Sequence, residues 1–298
     1  MPIVDCHVHL YPPEVNCDPS GWAAAHREPR FSALCTRRRR NGRPVQTFPT
    51  VDGLLSNMDS DGVDRAVLLG WYWENQASCV AQNRFFAECV RSHPDRLAAF
   101  AALNVSGAPG RALEEVRRAR EDGLVGLGEI FPAAQGFGPG DAAFAEVLAL
   151  AGDLRMPVNL HATDPAGRPY PGMLPTPGAE FLQLAREHPS TVFILAHWGG
   201  MLPLREPAAV GCQNLIYDTA ASPLSYDPGV WKRLVGTVGA ERILFGSDYP
   251  LILYPGEEAV PSWGRLLAEV RAAGLGNVAL QQLLGENTLR VIGGPQRV

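Results

Sequence analysis

Eight short apolar runs recur along this chain, most of them separated by a stretch with helical spacing. That alternation constrains the fold more than any other feature. The runs are Ile3–His9, Arg65–Gly70, Leu97–Asn104, Leu124–Ile130, Pro157–His161, Val192–His197, Leu215–Asp218 and Arg242–Asp248. Several, such as AVLLG, VFILAH and RILFG, are almost continuously apolar. Strands read this way when helices cover one face and a barrel interior lies against the other. Helical spacing fills the gaps at Val51–Asp61, Gln76–Ser92, Pro109–Asp122, Asp141–Leu154, Pro177–Glu187, Pro228–Val238 and Pro261–Ala273, and a last amphipathic segment spans Asn277–Arg290. Four of these start at a proline, which suits a first helical turn, and Gly62 follows the first of them as a stop signal. Leu202–Val210 is short and broken by proline, so it is a weak helix former.

The alternation in 298 residues predicts an α/β fold of the (β/α)8 TIM-barrel type. A doubly wound open sheet is the competing arrangement. No Ser- or Gly-rich linker divides the chain, so residues 1–298 read as a single barrel domain. One segment breaks the rhythm. Residues 11–50 form a 40-residue insertion after the first strand, far longer than an ordinary βα connection. It leaves the strand at the end where barrels keep their active sites.

Composition narrows the class. The chain is 46% hydrophobic and 19% charged, with a net charge of -5. This balance argues against general affinity for nucleic acid or an anionic membrane. No apolar run reaches the length of a membrane span, and residues 1–30 lack a signal-peptide layout, so a cytoplasmic protein is expected. The six cysteines form no CxxC pair, and a disulfide framework is not expected.

Chemistry concentrates at the strand ends. The first run carries His7 and His9, which alternation points to the same face. The fourth ends in Glu129, the fifth in His161, the sixth in His197 and the eighth in Asp248. In a barrel these ends converge on one rim. A lone HxH pair is a weak signal, since strand histidines are often merely well packed. The ensemble says more. Without a cation, Glu129 and Asp248 would repel each other in a partly dry cleft. A divalent metal removes that conflict and uses neutral imidazoles with ionised carboxylates. His93 and His188, in SHPDR and EHPST, fall where helices end, at the opposite face of a barrel. His26 lies in the insertion and has no assigned role.

The motifs DCHVHL, GEI, NLH, LAHWGG, FGSDYP and GENTLRV resemble the amidohydrolase superfamily. The similarity is greatest to its branch of aminocarboxymuconate-semialdehyde decarboxylase, resorcylate-type decarboxylases and related lactone hydrolases. The resemblance implies that His7, His9 and Asp248 bind one metal and that His161 binds the same ion or a second one. It implies that His197 binds a second metal, or else orients water or polarises substrate, and that Asp248 accepts a proton. Glu129 departs from the decarboxylase pattern and is similar to the bridging carboxylate of TatD-type hydrolases. A two-metal centre is therefore expected, with Glu129 shared between His7, His9 and Asp248 on one side and His161 and His197 on the other. Glu129 touching only substrate or a neighbouring histidine is the alternative.

The resemblance implies a hydrolase in which a metal-activated water attacks a small carboxylated lactone, ester or amide. A non-oxidative decarboxylase of an aromatic or unsaturated acid is the alternative. A TatD-like phosphodiesterase and a closed, non-catalytic metal site are further readings. Zinc suits the histidines and manganese is compatible with the carboxylates, with one or two ions per chain. Trp71, Trp73 and Asn75, in GWYWENQ, sit beyond the second strand, while Phe131, Trp198 and Tyr249 closely follow proposed ligands. Aromatic walls suit a flat organic substrate, although loop packing explains any single ring equally well. Arginines of CTRRRRNGR, including Arg43, are candidates to clamp a substrate carboxylate. Arg168 and Tyr170 are further candidates. The expected partners are a small organic substrate and, through the protruding insertion, a second copy of the chain as a homodimer.

Overall fold

A computed structural model of the chain describes residues 1–106 and 109–293. Eight parallel strands form one sheet in sequence order: β1 (Val4–Val8), β2 (Arg65–Leu68), β3 (Leu97–Ala101), β4 (Gly126–Ile130), β5 (Val158–Leu160), β6 (Phe193–Leu195), β7 (Leu215–Asp218) and β8 (Ile243–Leu244). The seam between the last and first strands closes through main-chain bonds. Cys6 N donates to Phe245 O at 2.8 Å, Asp248 N to His7 O at 2.9 Å, and His9 N to Tyr249 O at 2.6 Å. The fold is the (β/α)8 TIM barrel that the alternation predicts.

The continuous apolar runs have a simple cause. Along β2, Ala66 and Leu68 pack outward with the helices, while Val67 joins the barrel interior, followed by Leu69. The same alternation sends Ala98, Phe100, Ile194 and Ile216 inward and Leu97, Ala99, Phe193, Leu195, Leu215 and Tyr217 outward. Both faces are dry, so both select apolar residues. A polar side chain at an inward position is costly unless it finds partners, and such positions cluster toward the strand C-termini.

The helix at Val51–Asp61 shows how local signals place the elements. Thr50 accepts the Gly53 N–H at its start, and Gly62 ends it with φ 73°, a left-handed value that glycine adopts without strain. The segment Leu202–Val210 forms two short helices, Leu202–Arg205 and Pro207–Gly211. The C-terminal helical segment is interrupted by a π-helical turn over Gln282–Glu286.

The insertion differs from its expectation. Residues 11–50 do not protrude. They form three short helices, Pro13–Cys17, Pro19–His26 and Pro29–Cys35, each opened by proline. Tyr11, Val15, Ala23, Phe31 and Cys35 pack against Trp71, Tyr72 and Trp73 from the loop after β2. Glu28, 1% exposed, accepts the main-chain N–H groups of Glu74 (2.7 Å) and Asn75 (3.1 Å). The insertion is thus held down over the mouth of the barrel. Helices of five to eight residues carry too few turns to show an apolar stripe, so periodicity could not reveal them. Among the described residues, no helix is long and apolar enough to cross a membrane.

Candidate active site

Inward-facing residues at the C-terminal mouth meet in one cluster. His7 and His9 leave β1 with their Nε2 atoms 3.3 Å apart. Glu129 Oε2 lies 3.8 Å from His7 Nε2 and 3.6 Å from His9 Nε2, and Asp248 Oδ1 lies 3.8 and 3.4 Å from the same atoms. The other oxygen of Glu129 faces a second pair. Oε1 lies 2.8 Å from His161 Nδ1 and 3.5 Å from His197 Nε2. Two three-residue groups with metal-ligating geometry therefore share Glu129: His7, His9 and Glu129, and Glu129, His161 and His197.

Backbone placement makes this possible. Glu129 N donates to Gly70 O, and Gly70 N donates to Gly128 O, each at 2.7 Å. The ends of β2 and β4 thus approach across β3. A Cβ at position 70 would lie 2.5 Å from Ala102 N, so only glycine admits this approach. His197 follows β6 in a left-handed turn, with φ 55° at His197 and φ 59° at Trp198. That turn aims the ring into the mouth instead of continuing the strand.

The rings are oriented from behind. His7 Nδ1 donates to Asp218 Oδ2 at 2.9 Å, His9 Nδ1 to Leu69 O at 3.2 Å and His197 Nδ1 to Ala220 O at 3.1 Å. Each bond places a ring proton on the outer nitrogen and turns Nε2 toward the cluster. His161 presents Nδ1 instead, and Phe131 stacks on its ring at 4.3 Å. Converging ring nitrogens and two carboxylates form a donor set that fits a divalent cation when the rings are neutral.

Burial is the largest single influence on each of these groups, but charged neighbours together outweigh it for His7, Glu129 and His197. It pushes Asp248 up to about 6, against the pull of His7 and His197. Burial, with His7 beside it, brings His9 down to about 3. Burial also opposes a charged His7, but the charge and hydrogen bond of Asp218 outweigh it and raise this ring to about 10. For Glu129, burial favours the neutral form, yet His161, His197 and His7 hold the carboxyl well below its usual range. His197 is raised to about 9 against burial by Glu129 and Asp248. Among the protein groups alone, positive charge on His7 and His197 balances Glu129, and a bound divalent cation would take the place of the protons on their Nε2 atoms.

A cleft of about 370 Å³ opens onto the cluster, lined in part by His9, Glu129, His161, His197 and Asp248. Its other walls carry Trp71, Tyr72, Tyr170 and Tyr226, together with Arg37, Arg39 and Arg168. The side-chain Nε atoms of Arg37 and Arg39 are buried without a partner. Burial and the charge of Arg37 both act to lower Arg39, so a like-charged pair borders the cleft.

Not every residue expected at the cleft lines it. Trp71 does, edge-on to His9. Trp73 is buried against Phe31 and Trp22, and its Nε1 donates to Gln82 Oε1. Asn75 is turned to the insertion, donating to His26 O, Arg27 O and Glu28 Oε1. Trp198 is fully buried, with Nε1 donating to Ser222 Oγ at 2.9 Å and its ring edge-on to Trp231. The Tyr249 hydroxyl accepts from Asn57 Nδ2, and its ring stacks on Trp263 at 4.4 Å. Arg43 donates to Pro255 O and Glu258 O on the exposed side of the insertion. Phe131 supports His161 from behind. Trp198 and Tyr249 instead pack behind their neighbouring site residues, against Trp231 and Trp263, outside the cleft.

Asp218 and Asn159 were missed. Both are fully buried, and Asn159 Nδ2 donates to Asp218 Oδ2 at 2.9 Å. A signal was present: Asp218 lies two positions beyond the inward Ile216, and Asn159 two before His161.

A sequence-family model described as "Amidohydrolase" matches residues 4–294. No curated protein sequence matches the chain. Among solved structures, it is similar to 2,6-dihydroxybenzoate decarboxylase from Rhizobium, at 18% identity and TM-score 0.70, covering 98% of this chain and 99% of that one. It is similar to 5-carboxyvanillate decarboxylase from Sphingomonas paucimobilis, at 16% identity and TM-score 0.72, over 98% and 99% of the two chains. It is also similar to 5-carboxyvanillate decarboxylase from Novosphingobium aromaticivorans, at 16% identity and TM-score 0.74, over 98% and 96%. That last structure is complexed with manganese and 4-hydroxy-3-methoxy-5-nitrobenzoic acid.

Proposed function

The chain belongs to the amidohydrolase family, and from that premise we propose that it is a metal-dependent, non-oxidative decarboxylase of an aromatic or unsaturated carboxylic acid. The observation that carries this reading is the cleft, whose aromatic and arginine walls lead to the histidine–carboxylate cluster. A flat, anionic substrate matches those walls. The named similar structures are decarboxylases of 2,6-dihydroxybenzoate and 5-carboxyvanillate, which supports the same class.

In this reading His7, His9, Asp248 and Glu129 would hold the cation, with His161 a further donor across Glu129. Manganese and zinc both suit imidazole and carboxylate donors. When bound, the cation supplies a fixed positive charge that orients and polarises the substrate's acidic group. Arg37 and Arg39 draw the anion into the cleft and fix its far end. Trp71 and Tyr72 hold the plane of the substrate and exclude water. His197, kept protonated by Glu129 and Asp248, donates the proton to the carbon that loses carbon dioxide. Asp248 relays its replacement. Overall, the carbon–carboxyl bond breaks, carbon dioxide leaves, and one proton is taken up.

Hydrolysis of a small carboxylated lactone, ester or amide is the second reading. One observation favours it: Glu129 turns one oxygen to each pair of histidines, an arrangement suited to two cations. The test is a product assay on purified protein, with carbon dioxide release from carboxylated phenols set beside acid release from lactones, and metal content per chain. Carbon dioxide release with about one ion supports decarboxylation. Lactone opening with about two ions replaces it with the second reading.

A further inference from the structure

We infer that Asp218 is a positioning residue that ties the two halves of the cation site together. It fixes the ring proton of His7 and anchors the main chain of His197. The inference rests on the cation-site reading above and concerns a residue outside the ring of donors.

Asp218 ends β7 and has no exposed surface. Its oxygens divide their work. Oδ2 accepts from His7 Nδ1 at 2.9 Å and from Asn159 Nδ2 at 2.9 Å. Oδ1 accepts from His197 N at 3.1 Å and from Ala220 N at 3.0 Å. An ionised carboxylate only accepts, so His7 must carry its proton on Nδ1. A cation at the point shared with His9, Glu129 and Asp248 would then take the place of the Nε2 proton while Nδ1 keeps its own. On the other oxygen, the bonds to His197 N and Ala220 N hold the left-handed turn at His197 and Trp198, a conformation uncommon outside glycine. The Ala220 main chain also accepts the His197 Nδ1 proton at 3.1 Å. One buried carboxylate therefore sets a side chain of the first histidine pair and the backbone of the second.

An amide cannot do this. It offers one accepting oxygen and one donating NH2. Facing His7 and Asn159, the NH2 would oppose their donors and drive the His7 proton to Nε2, where it blocks a cation. Facing His197 and Ala220, it would oppose two main-chain N–H groups.

Two measurements decide. In the full wild-type chain, loaded with cadmium-113 and labelled with nitrogen-15 at histidine, the His7 cadmium coupling should run through Nε2, with a protonated Nδ1. Coupling through Nδ1 overturns the inference, and this holds whether or not any variant folds. Second, the affinity for Mn2+ alone should fall about 10- to 100-fold in Asp218→Asn, with the metal-free unfolding transition still cooperative. Equal Mn2+ affinity in the variant and the wild type overturns the positioning role while leaving the cation site intact. If the wild type binds neither ion, the cation-site reading fails, and this one with it.

Discussion

At one end of the barrel, His7, His9, His161 and His197 turn inward within a few ångströms of Glu129 and Asp248. At the other end, His93 and His188 close helices. The His93 N–H donates to Cys89 O at 2.9 Å and the His188 N–H to Leu184 O at 2.9 Å, and their carbonyls accept from the turns that follow. The same residue type serves chemistry at one end and helix termination at the other. What separates the two is strand polarity. Strand C-termini deliver side chains to a shared, dry mouth, whereas helix C-termini deliver main-chain groups to a wetter floor. The contrast teaches that a histidine's role in this fold follows from which end of which element it terminates.

The sharpest way to break that contrast is to strip the mouth of its cation. Exhaustive chelation should abolish turnover, and Mn2+ or Zn2+ should restore it. Full activity in verified metal-free protein would end the metal reading. Next, His161→Ala should cost more in kcat/KM than the roughly 10- to 100-fold typical of a residue that only supports a ligand. A loss within that range would demote His161 from donor to support. Gly70→Ala forces a Cβ against Ala102 N at 2.5 Å, so unfolding in denaturant should show a loss of about 1–3 kcal/mol. Activity should fall with it, because Gly70 also holds the Glu129 peptide. An unchanged midpoint would mean that the strand ends can relax. Asn75→Ala removes donors that tie the insertion to the loop after β2 and should cost about 1 kcal/mol of stability, with kcat largely kept. A collapse of kcat would return Asn75 to the substrate site. At the small end, His93→Ala should leave turnover intact and shift stability by no more than about 0.5 kcal/mol. Inactivation by this change would erase the distinction between mouth and floor.

Much of the architecture was readable in advance because two dry faces impose apolar runs of strand length, and because caps such as Thr50 and Gly62 mark helix ends locally. The six mouth residues were readable because strand order and polarity fix where each strand ends. The walls of the cleft were readable only in part: Trp71, Arg168 and Tyr170 line it as expected, and others do not. Trp73, Asn75 and Arg43 sit in loops, where no period dictates direction, and each turned to bind the insertion or its neighbours instead. Arg37 and Arg39, only a few positions from Arg43, line the cleft. Asp218 could have been read from the alternation along β7, but an acidic residue ending an apolar run does not announce which donors await it.

The sequence alone determined the barrel, the end of it that carries polar side chains, and the identity of the converging donors, because period-two alternation and chain direction are local properties. Tertiary structure decided the rest. Only contacts between distant segments could direct Glu129's two oxygens to different histidine pairs, set Asp218 behind His7 and His197, and fold residues 11–50 down over the mouth, since each of these depends on partners that the chain brings together only after it closes.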